Sequence, residues 1–192
     1  MFERMFQPHP ESVLNKIHML GGARRGMRWY PLLMLVWTFW IFTTPFFYRD
    51  LGWRVMPQTI ACVAVFLVLY YVAYFGDRRY VNACAAGMAV LAFVLTPLNP
   101  GAHGFLIYAC AFFCVVNPAP AALRLSVLAL AAYAVECLLI DGGNWIYPLM
   151  TAMVAFAIGF MNINYRRTLE INAELRLSHD EVRRLAAMAE RE

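Results

Sequence analysis

The sequence is poor in charge, and above all in lysine. Only 15% of its 192 residues are charged, and Lys16 is the one lysine. The remaining basic residues are arginines that lie between apolar runs and near the C-terminus, so the formal net charge of +4 is not gathered into a basic stripe with interleaved aromatics. Nucleic-acid binding needs such a stripe. We therefore expect no nucleic-acid partner.

The sequence also lacks the parts that phosphate chemistry requires. It has no glycine-rich phosphate loop and no acidic pair placed to hold Mg²⁺. All of its cysteines fall inside apolar runs, where each behaves as a small hydrophobic side chain and not as part of a disulfide framework. They are Cys62, Cys84, Cys110, Cys114 and Cys137. No small-residue cleavage pattern follows the first apolar run, so we expect no removable signal peptide. By itself the chain should bind no cofactor and catalyse no reaction.

Apolar surface dominates what is present. Hydrophobic residues make up 62% of the chain and the mean hydropathy is +0.56, more than a soluble domain of this length carries. A helix needs about 20 apolar residues to cross about 30 Å of hydrocarbon. The runs that approach this length are Trp29–Phe47, Pro57–Phe75, Tyr80–Leu98, the short run between Pro100 and Pro118, Ala121–Ile140 and Trp145–Ile163. The sequence thus predicts an all-α, polytopic integral membrane bundle of about six transmembrane helices.

The arginines fall on one side of a six-span arrangement. They occupy the segment before the first run, the loop with Arg78 and Arg79, the start of the fifth run at Arg124, and the segment with Arg166 and Arg167. Because basic residues in short loops stay in the cytoplasm, both termini are predicted to be cytoplasmic. Five spans would require the fourth run to be re-entrant.

These boundaries divide the chain into three parts. The parts are a cytoplasmic N-terminal segment (1–28), a transmembrane domain (29–164) and a cytoplasmic C-terminal helix (165–192). In the first part, apolar residues recur at helical spacing before two glycines. They are Val13, Leu14, Ile17 and Leu20. This pattern favours a short amphipathic helix on the inner leaflet, with a frayed cytoplasmic leader as the alternative.

The C-terminal part follows the sixth run without glycine or proline, so the last helix is predicted to continue into it. Counting in sevens gives one row of Thr168, Leu175, Val182 and Ala189, and another of Ile171, Ser178, Leu185 and Glu192. This pattern predicts a dimeric coiled coil. Its seam is interrupted by Ser178 and Glu192, so two helices would be held weakly enough for register to change. A helix that lies against its own bundle is the alternative.

The stretch "ELRLSHDEVRRLAAMAERE" resembles a segment of the DesK-type (NarL/DesK class) two-component sensor histidine kinases. In that family it joins the membrane domain to the dimerisation and phosphotransfer helices. The resemblance covers about Asn172 to Glu192 and stops short of the phosphoacceptor histidine. His179 precedes "AERE" instead of following it, so it does not match the phosphoacceptor. The resemblance implies a parent kinase that uses ATP and Mg²⁺ and acts on a response regulator through a kinase core beyond these residues.

Two polar features fall inside apolar runs. Glu136 is the one acidic residue well inside a run, which indicates a sensing or proton-linked role unless it reaches water near Asp141. His103, Cys110 and Cys114 share a helical face at i, i+7 and i+11 and are ligand types that suit a soft metal. Helix packing and a solvated histidine are the alternative, and the sequence assigns no metal ligand.

These features favour a signal-input membrane domain that relays a membrane-state signal (temperature or thickness) or a small-ligand signal through the coiled coil. Membrane lipids and a second copy of the chain are the expected partners. The fourth run offers roughly 17 residues, or about 26 Å of helix, so a thickened bilayer would be mismatched to it. The alternative is a small freestanding six-span membrane protein or transporter, although Glu136 alone is available for a polar transport path.

The arginine distribution predicts the result of reporter fusions. Fusions after Arg79, Arg124 and Arg167 should report the cytoplasm, and fusions after Trp53 and Gly142 should report the opposite side, because short basic loops are retained inside. A signal from the opposite side after Arg79 would contradict the six-span arrangement.

Overall fold

The computed structural model describes residues 8–15, 30–47, 52–140 and 145–191, and every regular element in these ranges is helical. The predicted all-α class is confirmed for this part of the chain. The helices are α1 (Tyr30–Met34), α2 (Phe39–Phe47), α3 (Met56–Phe75), α4 (Val81–Leu95), α5 (His103–Val116), α6 (Ala119–Ile140) and α7 (Ile146–Ala189). Short 3₁₀ turns join α1 to α2 and precede α3, α4 and α5.

The helices occupy the apolar runs that the sequence predicted. Among the described residues, four helical segments are long and apolar enough to cross a membrane: Gly52–Phe75, Arg78–Leu95, Ala119–Ile140 and Ile146–Ala189. Two other apolar segments, Pro31–Phe47 and Pro100–Val116, are shorter than 18 residues. Length and composition therefore support four crossings, and the first and fourth predicted spans are the short ones.

Helix α5 lies in the middle of the bundle. It packs against α4, α6 and α7, and half of its residues are buried. Alanines such as Ala85 and Ala109, both fully buried, let α4 approach it closely. On the side of α3, Phe66 stacks on Phe105 with ring centroids 4.8 Å apart, and Tyr108 lies 5.1 Å from the same Phe66 ring. Such aromatic pairs add to the free energy gained by burial.

Pro45 leaves one backbone carbonyl of α2 without its helical hydrogen bond, and a side chain distant in sequence bonds that carbonyl. A proline inside a helix has no N–H, so the carbonyl four residues earlier, that of Ile41, loses its helical partner. The Asn99 amide donates to that carbonyl at 2.8 Å and also to the Thr59 hydroxyl on α3 at 3.2 Å. Asn99 is fully buried. One side chain thus joins α2, α3 and the loop before α5.

The other end of the Asn99 side chain organises that loop. Its carbonyl oxygen accepts from the Gly101 N–H at 2.9 Å and caps the turn that leads into α5. A Cβ on Gly101 would lie 2.7 Å from the Thr44 hydroxyl oxygen, so only glycine allows the loop to lie this close to α2.

The N-terminal segment packs on the protein as far as it is described. The His9 N–H donates to the Phe75 carbonyl at 2.9 Å, and Val13 and Leu14 are buried. A helix on the inner leaflet would present these two side chains to lipid, whereas here Val13 belongs to the core of the bundle. Ile17 and Leu20, the other members of the predicted amphipathic face, lie outside the described residues.

The Asn99 contacts predict that a small substitution at this position lowers the free energy of unfolding by a large amount. Asn99→Ala should lower the free energy of unfolding by about 2–4 kcal/mol, because it leaves the Ile41 carbonyl and the Gly101 N–H buried without partners. The measurement is denaturant unfolding of the purified protein in micelles. Asn164→Ala, at an exposed position of α7, is the matched control and should change the value by less than about 0.5 kcal/mol. Equal effects of the two changes would refute the role given to Asn99.

Candidate functional site

Helix α7 links the bundle to the C-terminal part of the chain without a break. It runs for 44 residues, or about 66 Å, which confirms the predicted continuation of the last apolar helix. We call residues 170–191 the tail. Apart from the half-buried Ala173, every side chain of the tail is exposed. The element that leaves the bundle is therefore a single helix with little support of its own.

The helix is held at the point where the tail begins by the C-terminal end of α5. The last carbonyls of a helix have no partner within it and carry the negative end of its dipole. Arg166 of α7 donates to the Asn117 carbonyl, and Arg78, from the loop between α3 and α4, donates to the Val116 carbonyl at 2.8 Å. Two cations, one from a loop and one from α7, thus neutralise one helix end. We call this contact region the junction.

A pair of amides completes the junction on the side of α4. Asn82 and Asn117 donate to each other's side-chain oxygens, at 3.1 and 2.8 Å. Asn117 also donates to the Phe113 carbonyl, from its side chain at 3.0 Å and from its backbone at 3.2 Å. The position of Asn117, which carries the carbonyl bound by Arg166, is therefore fixed relative to both α4 and α5.

Close packing aligns α7 with α5 just before the junction. A Cβ on Gly159 would lie 3.0 Å from the Cys114 sulfur, so the glycine lets the two helices approach. One turn further on, Asn162 donates to the Ala111 carbonyl at 3.3 Å. Residues 159, 162 and 166 share one face of α7 because they are spaced by three and four. Rotation of α7 would disturb all three contacts together.

The ion pair between Arg166 and Glu170 contributes little to this arrangement. Its atoms lie 3.8 Å apart and the Glu170 side chain is half exposed. Exposed i,i+4 pairs stabilise a helix by about 0.3–0.5 kcal/mol. The contacts of Arg166 with α5, and not its partner within α7, are what hold the helix at the junction.

The predicted seam residues lie on the tail and are exposed. Ser178 and Ala189 are exposed like the large apolar members of the seam, Ile171, Leu175, Val182 and Leu185. Glu192 lies outside the described residues. His179, which was excluded as a phosphoacceptor, is also an exposed tail residue.

Glu136 lies away from the junction, in the last two turns of α6. Its side chain is half-buried, and its Oε2 atom is buried without a hydrogen-bond partner among the described residues. Its neighbours Tyr133 and Cys137 are buried. Asp141, near which Glu136 was expected to reach water, lies outside the described residues. The structure therefore places the two kinds of predicted site residue at opposite ends of the bundle.

His103, Cys110 and Cys114 do not form a cluster. The His103 ring bonds to the Pro100 carbonyl at 2.7 Å, whereas Cys110 and Cys114 are buried in the packing of α5. Within the part of the chain that the structure describes, no three His, Cys, Asp or Glu residues are grouped so that they could hold a metal ion.

Sequence reasoning missed the asparagines that hold α5. Asn99 and Asn117 each precede a proline, one at either border of the fourth apolar run. Asn-Pro dipeptides are turn signals, and this pair could have marked both residues as caps. Arg78 and Arg166 were used as markers of orientation only, and their hydrogen bonds to α5 had no signal in the sequence.

The comparisons with known proteins add no family to these observations. No protein-family model, no curated protein and no solved structure matches this chain.

Proposed function

We propose that this chain is the signal-input membrane domain of a DesK-type two-component sensor histidine kinase. It spans a bacterial inner membrane six times with both termini in the cytoplasm. It responds to membrane thickness and temperature, or to a small ligand, and relays that state through a dimeric coiled coil formed by the tail. ATP, Mg²⁺ and the response regulator belong to the kinase core of the parent protein. The observation that carries the proposal is the unbroken α7, which is held at the junction and carries exposed apolar side chains along one face of the tail.

The uncovered apolar side chains support a second helix as the partner of the tail. Leu175 is 56% exposed, Val182 60% and Leu185 55%. Scattered apolar residues on a surface need no explanation, but a row of them along one face of a helix favours a binding surface. Their spacing of seven and three is that of a coiled-coil seam.

The direction of the seam supports pairing between chains. Nine residues are about two and a half helical turns, so residues nine apart lie on opposite faces. Asn162 and Arg166 contact α5, and nine residues after each come the seam residues Ile171 and Leu175. The seam therefore faces away from the bundle of its own chain. This favours a homodimer over a tail folded back along the seam.

Short helices support a response to membrane thickness. Helix α5 has 14 residues, or about 21 Å, against a hydrocarbon core of about 30 Å. Mismatch costs fractions of a kcal/mol per Å, so a change of a few Å in thickness supplies about 1 kcal/mol. Any shift of α5 acts on α7 through Arg166 and Asn162. A weak seam is balanced closely enough for an energy of that size to change its population.

A ligand or proton input, or a freestanding transporter, is the second candidate. The observation in its favour is the buried, unpartnered Oε2 atom of Glu136. Carboxyl groups inside a membrane bundle often mark ion and proton paths. Transport of polar solutes usually requires several such groups along one path.

Cysteine cross-linking tests the seam. In a cysteine-free background, single cysteines at Leu175 or Val182 should form disulfide-linked dimers several-fold faster than a cysteine at Arg176, which lies off the seam in the heptad count. The measurement is the rate of dimer formation in membranes. Equal rates at the three positions would remove the coiled coil from the proposal.

A fusion protein tests the signalling role. Residues 1–192 joined to a DesK-type catalytic core and reconstituted in bilayers of graded acyl length, at one temperature, should change autophosphorylation about fivefold across the series, as expected for about 1 kcal/mol. Arg166→Leu should abolish this dependence, because it uncouples α7 from α5. Arg167→Leu, at the exposed neighbouring position, should preserve it.

The same fusion separates the two candidate inputs. Activity that is flat across thickness but changes on Glu136→Gln would replace the bilayer input by the ligand or proton input. Activity that ignores thickness, Glu136→Gln and Arg166→Leu alike would refute the sensor proposal and leave the freestanding protein.

A further inference from the structure

A groove of about 410 Å³ lies at the end of the bundle opposite the junction. It is formed between α2, α5 and α7, and Glu136 is not part of it. Its lining includes Trp40 and Thr44 of α2, His103 and Ile107 of α5, and Thr151 and Val154 of α7. Sites for small molecules are concave, mostly apolar, carry a few polar groups and measure about 300–1,000 Å³. The groove has these properties, and the signalling role does not use it.

The two threonines that line the groove have already used their hydroxyl protons. The Thr44 hydroxyl donates to the Trp40 carbonyl at 2.7 Å, and the Thr151 hydroxyl donates to the Tyr147 carbonyl at 2.8 Å. Both threonines are 2% exposed. Neither hydroxyl therefore has a proton left to donate into the groove.

The His103 ring has likewise already donated its proton to a backbone carbonyl. Its Nδ1 atom lies 2.7 Å from the Pro100 carbonyl oxygen, and a carbonyl can only accept, so Nδ1 carries the proton of the neutral ring. Nε2 is then an acceptor. The ring makes no other hydrogen bond within the described residues. His103 thus presents a fixed, unused acceptor at the groove.

We propose that this groove binds a lipid-soluble phenol, whose hydroxyl donates to His103 Nε2 and whose ring lies among the apolar side chains. Trp40 and Tyr147 supply aromatic surface for the ring, and Trp40 is 50% exposed and so accessible to it. A phenol brings the proton that Thr44, Thr151 and His103 do not offer. An aryl ether of similar shape has no hydroxyl proton, so the lone pairs of its oxygen would face the lone pair of His103 Nε2.

The test compares two probes, 4-bromophenol and 4-bromoanisole, which share the bromophenyl ring; a methyl group in the anisole replaces the hydroxyl proton of the phenol. A chain with Trp29, Trp37, Trp53 and Trp145 changed to phenylalanine keeps Trp40 as its one tryptophan. Bromine quenches tryptophan fluorescence on contact. In micelles at about pH 7.5, where free imidazole is largely neutral, the phenol should quench Trp40 saturably. It should bind about 3- to 10-fold more tightly than the anisole, the range expected for one hydrogen bond.

His103→Asn isolates the acceptor. The asparagine amide can take over the donation to the Pro100 carbonyl from Nδ1, but it has no counterpart to Nε2. The phenol should then bind no better than the anisole, whose own affinity should not change. His179→Asn in the exposed tail is the matched control and should leave both affinities as they were.

A substitution that fills the groove distinguishes binding of the probe in the groove from its partition into the micelles. Val154 lines the groove and Val127 on α6 does not, and each is 45% exposed. Val154→Phe should weaken the phenol several-fold, and Val127→Phe should not. As a second measurement on the unmodified chain, the phenol should raise the melting temperature and the anisole should not, since only a ligand of the folded state stabilises it.

Two results would overturn the proposal. One is equal affinity of the two probes, and the other is phenol binding that survives His103→Asn unchanged. Neither depends on a kinase core, because binding is measured on the chain alone, so failure here is distinct from failure of the signalling proposal.

Discussion

The architecture depends on satisfying the backbone at the two ends of α5. This helix is enclosed by its neighbours, so its terminal N–H and C=O groups have limited access to water, and other parts of the chain have to bond them. At its start Asn99 caps the turn that leads into it, and at its end Arg78 and Arg166 bond its last carbonyls. Each of these capping side chains also connects α5 to another segment of the bundle. The groups that complete α5 are thus the same groups that fix α2, α3, α4 and α7 around it.

Proline has opposite effects at the two places where it matters here. Pro100 and Pro118 lie just outside α5 and help to end the flanking segments, which is their usual role. Pro45 lies within α2 and frees the Ile41 carbonyl, and that free carbonyl is what Asn99 bonds. The carbonyl that Pro45 leaves free in α2 is therefore the point at which Asn99 attaches the loop before α5.

The sequence was sufficient to predict the helices and their order, because apolar runs and their borders are local signals. It predicted the passage of the last helix into the charged tail for the same reason, since no glycine or proline interrupts it. It was insufficient for the caps of α5. Asn99 and Ile41 are 58 residues apart, and Arg166 and Asn117 are 49 apart. Contacts at such separation depend on how helices pack, and no periodicity in the sequence encodes them.

The length of α7 beyond its last firm contact turns it into a lever. From Arg166 to the end of the helix at Ala189 is a distance of about 35 Å, with no bend in between. A tilt of about 5° at the fulcrum moves the far end by roughly 3 Å, about half the pitch of an α-helix. Small rearrangements inside the bundle are thereby magnified at the tip of the helix.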